Sequence, residues 1–224
     1  LDFCNMNGLR NISRIGRKGI ENNFKRKVGS SSDLPRIALP MQHPNLALIG
    51  ASWGHGQRHP GVERGPEFLR NAGLVRSLIE LGYNVQDFGD IETTLHEDDF
   101  TVNNVRLPKS GSEQFKKISE HVQKAIESNN VCLTLGGDHS VAMGTIHGHA
   151  KANEDMCVIW VDAHADINPP QASESGNMHG MPLAFLVKEM AKYTPVVPGF
   201  EWFKPCLSAK NLAYIGLRDV DTAE

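Results

Sequence analysis

Asp162, His164 and Asp166 occupy alternate positions in Asp162-Ala163-His164-Ala165-Asp166, directly after the apolar run 156–161. On an extended backbone, residues two apart project to the same side. The three side chains can therefore converge as the chain leaves a strand. Two carboxylates and an imidazole brought to one point are costly without a cation, so the pattern points to a metal site. A carboxylate-rich set with imidazole and no thiolate suits Mn2+, or another ion tolerant of oxygen ligands, better than structural Zn2+. Several carboxylates can also bridge two ions, and a pair about 3.5–4 Å apart can hold a shared hydroxide.

Two further segments carry chemistry. In Gly136-Gly137-Asp138-His139-Ser140 the paired glycines allow a tight turn and close backbone approach. His139 can then face the acidic cluster as another ligand, with Asp138 expected to orient an imidazole from behind. The plainer alternative is a turn followed by a helix capped by Ser140. The segment Ser173-Glu174-Ser175-Gly176-Asn177-Met178-His179-Gly180-Met181-Pro182 supplies hydroxyls, an amide and an imidazole, which suit a small polar substrate. His179 supplies an imidazole, a residue type suited to proton transfer near neutral pH. From residue types alone, a polar surface loop fits this segment equally well.

The elements that must position these groups alternate strand with helix. The pattern predicts strands at 46–50, 85–88, 131–135, 156–161 and 212–216. A helix is expected from Pro66 to a stop at Gly82, with Phe68, Leu69, Ala72, Val75, Leu78 and Ile79 at helical spacing. Phe115, Ile118, Val122 and Ile126 mark a second helix. A third, of small residues, runs to about Asn153, and 183–190 also reads as helical. Residues 91–110, 168–179 and the proline-bearing 194–205 are expected to be loop. The run at 156–161 is too short and β-branched for a helix and reads as a buried strand. The order implies an α/β fold with a parallel sheet. Such folds bind ligands at the carboxyl ends of strands. His139, Asp162-His164-Asp166 and Asp219-Asp221 each follow a strand, so one site in one sheet is expected.

Composition sets bounds. Hydrophobic residues make up 40% and charged residues 22% of 224, ordinary for a globular chain. The net charge of −3 gives no broad basic face for nucleic acid, and no apolar stretch suits a bilayer span. The four cysteines show no paired spacing; Cys132 and Cys157 sit in apolar strands and read as core thiols. Residues 1–36 hold eight Lys or Arg against three acids. That Arg-rich, Ser-containing composition suits a mitochondrial transit segment or, equally, a basic tail. The expected organisation is a basic extension over 1–44 and an α/β domain over 45–224. The expected compartment is mitochondrial or cytoplasmic rather than secreted.

Taken together, Gly136–Ser140, Asp162-Ala163-His164-Ala165-Asp166-Ile167-Asn168 and Ser175-Gly176-Asn177-Met178-His179-Gly180-Met181-Pro182 resemble the ureohydrolases, the arginase family in particular. Gly61-Val62-Glu63-Arg64-Gly65-Pro66 and Tyr214-Ile215-Gly216-Leu217-Arg218-Asp219-Val220-Asp221 extend the resemblance from about Leu46 to Glu224. The resemblance implies a three-layer α/β/α fold with a mostly parallel central sheet. It implies hydrolysis of L-arginine to L-ornithine and urea by a hydroxide bridging two Mn2+ ions per subunit, in a homotrimer. His139, Asp162 and Asp166 would hold one ion; Asp162, bridging, and His164 would contribute to the other. His179 would shuttle protons. Asn168, Ser173 and Ser175 would read the substrate carboxylate, and Asp221 its amino group, with Glu224 a second acid nearby.

The family pattern also includes a later Ser-x-Asp-x-Asp-type strand that completes both metal shells, and no such motif occurs before Glu224. The sheet is therefore expected to be incomplete at the C-terminus, and the 224-residue chain to be inactive and poorly folded by itself, with an exposed apolar edge. Two alternatives stay open: an agmatinase or formiminoglutamase type of ureohydrolase, and a truncated, non-catalytic isoform that binds metal weakly or pairs with full-length subunits.

Overall fold

A computed structural model describes residues 45–222; the basic extension expected over 1–44 and the candidate Glu224 lie outside the described residues. β1 (Asn45–Ala51) organises the domain. It pairs in parallel with β2 (Asn84–Asp90) on one side and β3 (Val131–Gly136) on the other. Alternate β1 side chains face opposite layers. Leu46 and Leu48 pack with Leu135 against Leu74, Val75 and Leu78 of α2 (Leu74–Glu80). Ala47, Ile49 and Ala51 pack with Phe115, Ile118 and Val122 of α3 (Pro108–Glu127). Helices thus cover both faces of this parallel sheet, as the three-layer reading expected. α4 (Ala142–Ala152) lies against α3, where a Cβ on Gly148 would overlap the Ser119 carbonyl, so glycine permits the close crossing.

Several boundaries differ from expectation. The helix expected over 66–82 is two helices, α1 (Gly65–Asn71) and α2, because Gly73 takes φ 91° between them. That left-handed conformation ends one helix and redirects the next. α3 begins at Pro108, inside the expected loop. Its start is fixed by Asp99, 7% exposed, which accepts the backbone N–H groups of Lys109 and Ser110. The helix expected over 183–190 stops early as α5 (Pro182–Leu186). Val187 is extended and bridges to Leu207, and a 3₁₀ turn follows at Lys188–Tyr193.

The expectation of a single sheet fails among the described residues. β4 (Val158–Val161) pairs in parallel only with β5 (Leu212–Ile215), forming a separate two-stranded sheet. β4 is also not buried on both faces: Trp160 is 4% exposed, but Ile159 and Val161 are 63% and 70% exposed. Cys157 precedes the strand and is exposed, and Cys132 is half-buried, so the two are not both core thiols. No helix among the described residues is long and apolar enough to cross a membrane.

Candidate metal centre

The loop after β3 is built by backbone contacts that only glycine permits. Gly137 N–H donates to the Ala51 carbonyl at 3.0 Å and Asp138 N–H to the Trp53 carbonyl at 2.8 Å. A Cβ on Gly137 would overlap the Trp53 carbonyl. Asp138, buried, caps the 3₁₀ turn His139–Val141: its Oδ1 accepts Ser140 N–H at 2.9 Å and also the Ser140 hydroxyl. The cap is therefore Asp138 rather than Ser140. Asp138 does not bond the His139 imidazole either; its Oδ2 accepts Gly56 N–H at 2.7 Å.

With the loop so fixed, His139 stacks on Trp160, ring centroids 4.3 Å apart and planes 19° from parallel. Its Nδ1 lies 2.9 Å from Asp162 Oδ2 and 2.7 Å from Asp166 Oδ2. One donor atom from each of these three residues falls within 4.8 Å of the others, a set that could hold one cation. Asp162 Oδ1 turns the other way. It accepts His164 N–H at 2.9 Å and lies 3.3 Å from His164 Nδ1. His164 stands outside the three-residue group, with a 56% exposed side chain and Nε2 3.6 Å from Asp219 Oδ2. Asp162 thus addresses two imidazoles with different oxygens. Asp166 sits at φ 49°, a left-handed conformation uncommon outside glycine.

The electrostatics follow the geometry. Burial by itself would lower the His139 pKa, but Asp166 and Asp162 outweigh it and the net shift is upward. Burial acts to raise the Asp162 pKa. The His164 backbone N–H and the His139 charge more than offset that, and the net shift is downward. In Asp138, burial wins over its three hydrogen bonds and pushes the pKa up. A divalent cation bound here would balance the paired carboxylates. The donor set, two carboxylates and an imidazole with no thiolate, fits an ion that favours oxygen and nitrogen.

The remaining candidates among the described residues line one cavity of about 470 Å³, whose walls include Asn168, Ser173, Ser175, His179 and Asp221. Asn168 Nδ2 donates to Asp221 Oδ2 at 2.8 Å. Ser173 Oγ accepts Gly176 N–H at 3.1 Å and Ser175 Oγ accepts Asn177 N–H at 3.3 Å, so each hydroxyl hydrogen stays available. His179 is held against Gly56, whose carbonyl lies 3.1 Å from the His179 backbone nitrogen and 3.0 Å from its Nδ1.

Three supporting residues were not found in the sequence. Asn104 Nδ2 donates to the Pro170 and Ser173 carbonyls at 2.7 and 2.6 Å, and Arg106 reaches Asn177 Oδ1 at 3.2 Å. They pin the cavity loop from within the segment read as polar surface. Gly56 is the third. Asn103-Asn104 does carry a turn signal, since both take positive φ, but nothing local shows what the turn touches.

The arginase family profile matches residues 44–224. The hepatic arginase of Aquarana catesbeiana is 49% identical over 180 residues, 80% of this chain and 56% of that protein. Arginase-2, mitochondrial, of Rattus norvegicus is 50% identical over 188 residues, 84% of this chain and 53% of that protein. Among solved structures, the arginase of Bacillus caldovelox superposes with a TM-score of 0.69 at 35% identity, covering 79% of this chain and 59% of that one. The chain spans a little over half the length of the curated relatives it matches.

Proposed function

Because the chain belongs to the arginase family, we propose that the whole protein hydrolyses L-arginine to L-ornithine and urea at a centre of two Mn2+ ions. In this chain His139, Asp162 and Asp166 would hold one ion, and Asp162 with His164 would contribute to the other. The observation that carries this reading is Asp162, which turns one carboxylate oxygen to His139 and the other to His164. Bound there, Mn2+ would supply Lewis acidity and a water made acidic near neutral pH.

The chain's own groups support an amino-acid substrate. Asn168, Ser173 and Ser175 offer neutral donors to a carboxylate, and Asp221 an acid to an ammonium, around one cavity. Glu224 is assigned to substrate binding as a second acid near Asp221, from the motif it follows. His179, on the cavity wall, is assigned proton transfer. Assembly as a homotrimer is part of the proposal. So is a mitochondrial or cytoplasmic location, with the basic residues 1–36 favouring mitochondria.

Substrate comparison tests the assignment. The Mn2+-loaded whole protein should release urea from L-arginine and far less from agmatine, which lacks the carboxylate. Preference for agmatine, or for an acyl-guanidine-type substrate, would move the protein to another branch of the ureohydrolases.

A further inference from the structure

Gly56 is gripped from two sides. Its N–H donates to Asp138 Oδ2 at 2.7 Å, and its carbonyl faces the backbone nitrogen and the Nδ1 of His179 at 3.1 and 3.0 Å. Asp138 is itself fixed by Ser140, through the backbone N–H at 2.9 Å and the hydroxyl. The packing leaves no slack, since a Cβ on Gly56 would overlap Ser140 Oγ and fall 2.6 Å from Asp138 Oδ1. A carbonyl can only accept, so the ring nitrogen facing it must carry the hydrogen. Neutral His179 is then the Nδ1–H tautomer, and Nε2 is left as the nitrogen able to take up a proton.

We propose that Asp138 is a positioning residue for His179, acting through Gly56: it locks the Gly56 carbonyl in place and thereby fixes both the tautomer and the direction of the His179 ring. The inference rests on the proton-transfer role proposed for His179. It links the loop that delivers His139 to the loop that delivers His179, two segments 40 residues apart in sequence that must act on one substrate. Displacing a catalytic group by about 1 Å can cost on the order of a hundredfold in rate, so a clamp of this kind has room to matter.

The test uses the whole protein with Asp138→Asn, Gly56→Ala and His179→Ala. Asp138→Asn keeps the shape but turns an amide N–H toward either Gly56 N–H or the Ser140 donors. Gly56→Ala keeps the carboxylate and displaces the clamp. Each should lower kcat for L-arginine by about tenfold or more, change KM by less than about threefold, and retain Mn2+. Combined with His179→Ala, neither should lower kcat by more than about twofold further, because the group being positioned is gone. Multiplicative losses would overturn the inference and leave the proposed activity standing. A wild-type protein that releases no urea would overturn the activity instead. One readout needs neither activity nor a variant. The 15N spectrum of His179, with Mg2+ replacing Mn2+, should show a protonated Nδ1 and a bare Nε2 in the neutral ring. The opposite tautomer would refute the clamp even in a fully active enzyme.

Discussion

Asn168 Nδ2 donates to Asp221 Oδ2 at 2.8 Å, joining a residue two positions beyond Asp166 to one six positions beyond the end of β5. The contact places a neutral donor and an acid side by side at one cavity, as reading both ends of an amino-acid head group requires. Asn168→Ala should raise KM for L-arginine by about tenfold or more, the value of one hydrogen bond to a charged group, and should leave kcat/KM for agmatine within about threefold. Equal losses on both substrates would mean that Asn168 serves the loop and not the carboxylate.

Asp162 is the carboxylate shared by His139 and His164 in the candidate metal cluster, and Asp166 holds its place with a left-handed backbone. Asparagine tolerates that backbone, so Asp166→Asn tests charge without disturbing the turn. Both Asp162→Asn and Asp166→Asn should weaken Mn2+ binding by at least about a hundredfold, beyond what loss of an outer contact costs. Equilibrium dialysis with metal analysis measures it, and unchanged circular dichroism would show that the fold is kept. Wild-type affinity in both variants would remove these residues from the ligand set.

Arg70 binds Asp87 at 2.8 Å and also pairs with Asp90, tying α1 to β2. The Arg70 hydrogen bond holds the Asp87 pKa below the usual carboxylate value. A depressed folded-state pKa contributes stability above the unfolded value, near 3.9, that is lost as pH falls through the folded value. Arg70→Gln should therefore lower the denaturation midpoint at pH 7 and flatten its fall below about pH 4. An unchanged pH profile would show that the pair contributes little, as many exposed ion pairs do.

The thiols should separate by environment. Cys157 is exposed, whereas burial pushes the Cys206 pKa up to about 11. The thiolate is the reactive form. Iodoacetamide at pH 8, followed by peptide mapping, should modify Cys157 at least about tenfold faster than Cys206. Comparable rates would indicate that the loop carrying Cys206 opens readily.

Much of the geometry of the candidate cluster was legible because its signal is local. Alternation after an apolar run places Asp162, His164 and Asp166 at a strand end whatever surrounds them, and the paired glycines before His139 announce a tight turn. The helical faces of α3 read correctly for the same reason: Phe115, Ile118 and Val122 repeat at helical spacing and are all buried. What escaped was non-local. Gly73 lies inside the apolar period that predicted one helix, yet its positive φ splits that helix in two. Asp138 was expected to orient an imidazole, but its carboxylate bonds Ser140 and Gly56, the latter 82 residues earlier. Ile159 and Val161 gave β4 the look of a doubly buried strand, and burial on the second face depends on neighbours that no local pattern encodes.

Arginine hydrolysis should depend on the Asp162 cluster. The direct measurement is urea released from L-arginine by the metal-stripped whole protein as Mn2+ is titrated back, with Asp162→Asn alongside. Urea production should rise with added Mn2+, saturate near two ions per subunit, and be lost in Asp162→Asn. Urea release that ignores Mn2+, or no urea from a folded protein with its metal content confirmed, would contradict it.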